Sequence, residues 1–143
     1  MVDQIVRCAT VTALNQTLPD SHLDLLQAPG TAIFSTITPT GAVQSTAVWY
    51  LLDDDGELRL SLSGARKKLR NLQANANATL FILDATNPFR FIEVRGTATL
   101  EADPDYSFRG KVGAHYGADV ASFDAPGTLR YTVTLHPERV NAQ

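Results

Sequence analysis

Residues 31–63 alternate strand-like runs with two tight turns, and that alternation limits the fold more than any other feature of the chain. "TAIFSTIT" (31–38) is rich in β-branched and aromatic side chains, "PTG" (39–41) turns the chain, and "AVQSTAVWYLL" (42–52) runs back. "DDDG" (53–56) turns it again, and "ELRLSLS" (57–63) returns with Leu58, Leu60 and Leu62 on one face and Arg59, Ser61 and Ser63 on the other. Connections this short join antiparallel neighbours, because a parallel pair needs a crossover of a dozen residues or more.

The same grammar recurs downstream. "ATLFILD" (78–84), the turn "ATNP" (85–88), "FRFIEVRGTATLE" (89–101) and "TLRYTVTLH" (128–136) give three more strands, with Gly96 marking a bulge or bend inside the long one. Helical periodicity appears in three places. Residues 19–30 form a short amphipathic stretch closed by Ala-Pro-Gly. Ala65, Leu69 and Leu72 at i, i+4 and i+7 place a helix over residues 64–75. Residues 104–117 form a third, with Pro104 at its first turn and Gly110 and Gly113 diluting it. The expectation is mainly β: six antiparallel strands closed into a barrel with two or three flanking helices, an open sheet with helices on one face being the alternative.

A chain of 143 residues is large enough for one self-sufficient core, so residues 1–143 read as a single domain in which residues 1–18 are an N-terminal arm. No apolar run reaches the roughly 20 residues of a membrane span, and the early Asp3 and lack of an apolar stretch argue against a secretory leader. A lone cysteine, Cys8, excludes an intrachain disulfide and a cysteine metal site, which points to the cytoplasm. A net charge of −3 argues against nucleic acid as a partner.

Against that acidic background, four of the twelve Lys and Arg residues, Arg66, Lys67, Lys68 and Arg70, fall within five positions. They stand at a helix start, where the macrodipole already favours anions over cations. A phosphate would resolve the conflict: backbone N–H groups of Gly64 and Ala65, the hydroxyls of Ser61 or Ser63 and the cationic heads would all converge on it. A solvated helix face would show the same composition, and neither a P-loop nor a G-x-G-x-x-G pattern is present.

The ordered set of a "T-x-x-x-x-G" hairpin, "VWY" in the second strand, "RKKLRNL" opening the helix and a following "EVRG" resembles the split β-barrel flavin-binding superfamily of the pyridoxamine 5'-phosphate oxidase type. It is nearest the branch that uses the deazaflavin coenzyme F420, and the resemblance spans residues 23–140. It implies a six-stranded antiparallel split barrel (the FMN-binding split barrel) and a homodimer with cofactor sites between subunits. By that resemblance Arg66 and Lys68 hold the cofactor phosphate, and Ser61, Leu62 and Ser63 line the ribityl chain. Gln44, Ser45, Val48 and Trp49 approach the ring, and Phe89 and Phe91 are offered by the partner subunit. Lys67 would meet the acidic oligoglutamate tail that distinguishes F420 from FMN. "NANA" (75–78) replaces the Asp-Pro-Arg turn common in the family, far from the phosphate.

The function implied is an F420-dependent oxidoreductase passing a hydride to a small unsaturated acceptor. An FMN-dependent oxidoreductase and a non-catalytic cofactor binder are the alternatives. No side chain is assigned a catalytic role, because the cofactor carries the chemistry. Enones, quinones, tetrapyrroles and nitro compounds all remain open as acceptors. His22, His115 and His136 are too dispersed for a metal site, the Asp53–Asp55 run reads as a turn rather than a calcium loop, and His115–Tyr116 are candidates for shaping a substrate pocket. Trp49 and Tyr50 face opposite sides of their strand, so one belongs to the core and the other to the ring site or an interface.

Overall fold

The computed structural model describes residues 17–143. Cys8 and nearly all of the N-terminal arm lie outside the described residues. A 3-10 turn, Asp20–His22, leads into α1 (Leu23–Gln27); the strands are β1 (Ala32–Ile37), β2 (Val43–Val48), β3 (Leu51–Leu52), β4 (Leu58–Ser63), β5 (Asn77–Asp84), β6 (Asn87–Ala102) and β7 (Arg130–Ala142). Helix α2 (Lys67–Ala74) follows β4, while α3 (Ser107–Tyr116) and a second 3-10 turn, Val120–Phe123, separate β6 from β7.

All seven strands form one antiparallel sheet in the order β2-β1-β5-β6-β7-β4-β3. Its two edges, β2 and β3, are consecutive in the chain, so the sheet must curl until its ends nearly meet. Leu58, Leu60 and Leu62 of β4 then face Phe34, Leu80, Ile82, Ile92, Val94, Val133 and Leu135 across a dry interior. Each of these side chains, removed from water, contributes about 2 kcal/mol of hydrophobic stabilisation. Helix α2 closes one end with Leu69 and Leu72, and α1 contributes Leu25 and Leu26.

The expected count of six strands is corrected to seven, because the run 42–52 breaks at Trp49–Tyr50. The cause lies outside the run. The Tyr116 hydroxyl, at the end of α3, accepts the Tyr50 N–H at 2.9 Å and lies 2.7 Å from the Gly30 carbonyl and 3.0 Å from that of Tyr50. Backbone groups that would have entered a ladder are satisfied there by a side chain. The barrel is therefore split at this seam, and chain continuity joins its edges where no ladder does. Tyr50 is the core member of the aromatic pair, 1% exposed, with its hydroxyl donating to Leu25 O at 2.7 Å.

Two further boundaries move. β7 continues through Pro137 to Ala142, beyond the expected end at residue 136, because the ladder with β6 shifts register between Arg95 and Gly96. Gly96 is required at that bulge: a Cβ there would lie 1.8 Å from the His136 carbonyl oxygen. α3 starts at Ser107 rather than in the Pro104 turn. The buried Asp103 carboxylate accepts the N–H groups of Phe108 and Arg109 at 3.2 and 3.0 Å, and Tyr106 bends into the helix with φ 60°.

Candidate functional site

The polar face of β4, opposite its leucines, forms the floor of a groove of about 630 Å³ on the outside of the barrel. Ser61 and Ser63 lie there because strand alternation sends them away from the core that Leu60 and Leu62 enter. The end of β2 supplies one wall through Thr46, Ala47, Val48 and Trp49, and α3 with the following 3-10 turn supplies a roof through Val112, Val120 and Phe123. Trp49 stands at the split seam, stacked on Tyr116 with ring centroids 4.3 Å apart and planes at 9°. Phe123 meets the indole at 6.2 Å and 60°, forming an aromatic corner.

The opposite end of the groove is cationic. Arg66 precedes α2, and Lys68 reaches across to the Thr46 hydroxyl, to which its Nζ donates at 3.1 Å. Burial, with Arg66 and Arg130 nearby, holds the Lys68 ammonium below its ordinary pKa. Arg130 opens β7 with a side chain 9% exposed, and its Nη2 donates to the Ser61 hydroxyl and carbonyl at 2.9 and 3.2 Å. Its Nε is buried and has no hydrogen-bond acceptor among the described residues. Desolvation, with Arg109 adding repulsion, lowers the Arg130 pKa. Arg109 from α3 and Asp124 complete this end.

The expected phosphate cradle is partly corrected. Gly64 N–H donates to Leu129 O at 2.8 Å and Ala65 N–H to the Ser63 hydroxyl at 3.3 Å, so neither amide is free. The helix begins at Lys67, three residues later than its hydrophobic spacing implies, since Ser63–Arg66 is a turn closed by Arg66 N–H to Ser63 O at 3.1 Å. The orphan donors move with it. Lys67 and Lys68 are the first-turn amides that find no protein acceptor among the described residues.

The sequence profile of the pyridoxamine 5'-phosphate oxidase family matches residues 18–143. A solved F420 reductase shares 30% identity over 88% of this chain and 100% of its own, with a TM-score of 0.79. The chain belongs to the pyridoxamine 5'-phosphate oxidase family. Members of that family bind flavin or the deazaflavin F420. A conserved hypothetical protein from Mycobacterium tuberculosis has the same fold, with 22% identity over 90% of this chain and 86% of its own and a TM-score of 0.71. A putative pyridoxamine 5'-phosphate oxidase from Listeria innocua has it too, at 17% identity over 86% of this chain and 95% of its own, TM-score 0.65. No curated protein matches by sequence.

Within this member of the oxidase family, Val48, Trp49, Ser61, Leu62, Ser63, Arg66 and Lys68 come together on the groove. The other expected residues lie away from it. Gln44 accepts from Asn71 Nδ2 at 2.8 Å, and Asn71 also donates to Thr36, so the buried Asn71 and Thr36, with the half-buried Gln44, anchor α2 to the sheet. Ser45 pairs with Ser35 on the exposed outer face of β1 and β2. Lys67 points to solvent on α2. Phe91 stacks on Phe81 at 5.2 Å, and Phe89 is 76% exposed at the start of β6.

Sequence reasoning missed Arg130, Arg109, Asp124 and Phe123. One signal was available for Arg130: it is the cation of "TLRYTVTLH" that lies on the opposite face from Tyr131, Val133 and Leu135, in register with Ser63. Its burial was not readable, because that depends on the roof. His115–Tyr116 act from behind the site, where Tyr116 supports the Trp49 ring and the His115 Nε2 is buried without a partner among the described residues.

Proposed function

We propose that this chain is an F420-dependent reductase that holds the reduced deazaflavin in the groove and serves a small unsaturated organic acceptor. The observation that carries the reading is the buried Arg130 Nε, a charged donor without an acceptor at the cationic end of a groove whose other end is aromatic. Buried polar groups are almost always paired, so an unpaired guanidinium N–H marks a place for a ligand oxygen. The groove thus offers donors for a phosphate and an apolar corner for a ring system, the two halves of a flavin-type cofactor. The 30% identity to an F420 reductase favours the deazaflavin over FMN.

In this reading Arg66, Lys68 and Arg130 hold the phosphate, with the Lys67 and Lys68 amides as added donors. The hydroxyls of Ser61 and Ser63 accompany the polyol chain. Val48, Trp49 and Phe123 exclude water from the ring end, and Tyr116 fixes the Trp49 plane. A bound reduced deazaflavin supplies a hydride, a two-electron equivalent. The chain's own contribution is orientation and dryness, and no groove side chain is assigned as an obligatory acid.

The subunit is proposed to work as a homodimer. Ile33, Val43, Leu83 and Phe89 are 42%, 66%, 46% and 76% exposed on the outer surface of β1, β2, β5 and β6, a concentration of apolar area that suits a second copy. Phe89 and Phe91 would then be presented to the neighbouring subunit. The deciding experiment is a fluorescence titration of the purified protein with F420 and with FMN. Tighter binding of F420, weakened about tenfold or more by Arg66→Ala and by Lys68→Ala, is the expected result. Unchanged affinity in both variants would remove the phosphate from this end of the groove, and a clear preference for FMN would replace the deazaflavin.

A further inference from the structure

Among the residues lining the groove, Asp124 is the one carboxylate. It follows the second 3-10 turn and reaches back between two buried arginines. Its Oδ2 lies 3.0 Å from Arg109 Nε, and its Oδ1 lies 3.5 Å from Arg130 Nη1. The two guanidiniums differ in what they have left to give. Arg109 also donates from Nη2 to the Val120 carbonyl at 2.7 Å, which ties it to the roof. Arg130 touches Asp124 only at ion-pair distance and keeps an unpaired Nε. Asp103, the other acidic side chain nearby, is engaged in capping α3.

The balance at this end is therefore Arg66, Lys68, Arg109 and Arg130 against a single carboxylate. A site meant only to maximise anion affinity would do without that carboxylate, since a fixed negative charge a few ångströms from the ligand opposes binding in a partly buried setting. The opposition grows with the charge of the ligand, and so does the water that must be stripped from it. We propose, on the cofactor reading above, that Asp124 is a built-in counter-ion that matches the groove to a singly charged phosphodiester and against a doubly charged phosphomonoester. The phosphate of F420 joins the ribityl chain to the lactyl tail and is a diester. That of FMN is a terminal monoester, carrying close to two charges at neutral pH. One carboxylate on the roof thereby separates two cofactors whose ring and polyol chain are alike.

The test uses FMN and its phosphate monomethyl ester, which differ by one charge and one methyl group, with riboflavin as the ligand that lacks phosphate. Their dissociation constants are measured by flavin fluorescence for wild type, Asp124→Asn and Asp124→Glu. Wild type should bind the methyl ester at least as tightly as FMN. Asp124→Asn should shift the ratio of affinities towards FMN by about tenfold, the scale expected from removing one nearby charge. Asp124→Glu, which keeps the charge, should leave the ratio within about twofold of wild type. A common fall in both affinities with an unmoved ratio in Asp124→Asn assigns Asp124 to holding the roof and overturns the proposal. So does a wild-type preference for FMN over its ester. If neither phosphate ligand binds wild type more tightly than riboflavin, the phosphate reading itself fails, and the proposal with it.

Discussion

Arg90 and Arg130 both stand on strands of the same sheet, and both bridge distant parts of the chain, yet they are provisioned in opposite ways. Arg90 is saturated. It grips the Asp24 carboxylate at 2.6 and 2.8 Å, the Ser21 carbonyl at 2.8 Å and the Asp84 carboxylate at 3.1 Å, joining the α1 region to β5 and β6. The Asp24 and Asp84 carboxylates raise its pKa. Arg130 is more buried, is pushed down by burial and by Arg109, and retains an unpaired donor. An arginine that only fastens a fold spends its terminal nitrogens on the chain. One kept short of acceptors under a roof is available to something else.

The contrast is sharpest in Arg130→Met, which keeps much of the side-chain volume and removes the charge. Affinity for a phosphate-bearing cofactor should fall about 100-fold, the scale of a lost charge-assisted hydrogen bond in a part-buried site, while the melting temperature changes little. Titration and a thermal scan on the same preparation check both halves, and equal loss of stability and affinity would erase the distinction. Arg90→Ala should do the reverse. The melting temperature drops by a few degrees as α1 loosens from β6, and cofactor affinity stays at the wild-type value. Weakened cofactor binding in that variant would mean that the two regions are coupled.

The smallest effect concerns pH. The Thr86 hydroxyl and N–H, followed by Arg90, hold the Asp84 carboxyl at about 2, below its ordinary value of 3.8. The folded value is the lower one, so the stabilisation is complete above pH 3.8 and disappears as pH falls through about 2. A stability difference between wild type and Asp84→Asn at pH 6 should therefore shrink towards zero on acidification. A difference that persisted at pH 2 would have to come from packing rather than charge.

What the sequence made legible divides along the same line. Strands β1, β4 and β5 and the first half of β7 show their period directly, and each packs the face that its alternation assigns. The break at Trp49–Tyr50 was hidden because its cause, the Tyr116 hydroxyl, lies 66 residues away. The tail of β7 was hidden by Pro137, which reads as a strand end but sits opposite Gly96 at the bulge. In the groove, Ser61, Ser63, Arg66 and Lys68 were accessible from local pattern and family resemblance. Arg109 and Asp124 were not, and for Arg130 only its strand face was, since the pairing of the three arises only when the roof folds over β4 and β7. Gln44 and Ser45 show the limit of transferring roles along a strand, where alternation turns neighbouring side chains to different faces.

The stacked pair at the seam has an optical consequence. Trp49 is the only tryptophan in the chain, and it stands on the groove wall against Tyr116. All indole emission therefore originates at the aromatic corner, with no background from elsewhere. A flavin or deazaflavin entering the groove would quench that emission by energy transfer at short range, so the protein carries a label-free reporter of its own site.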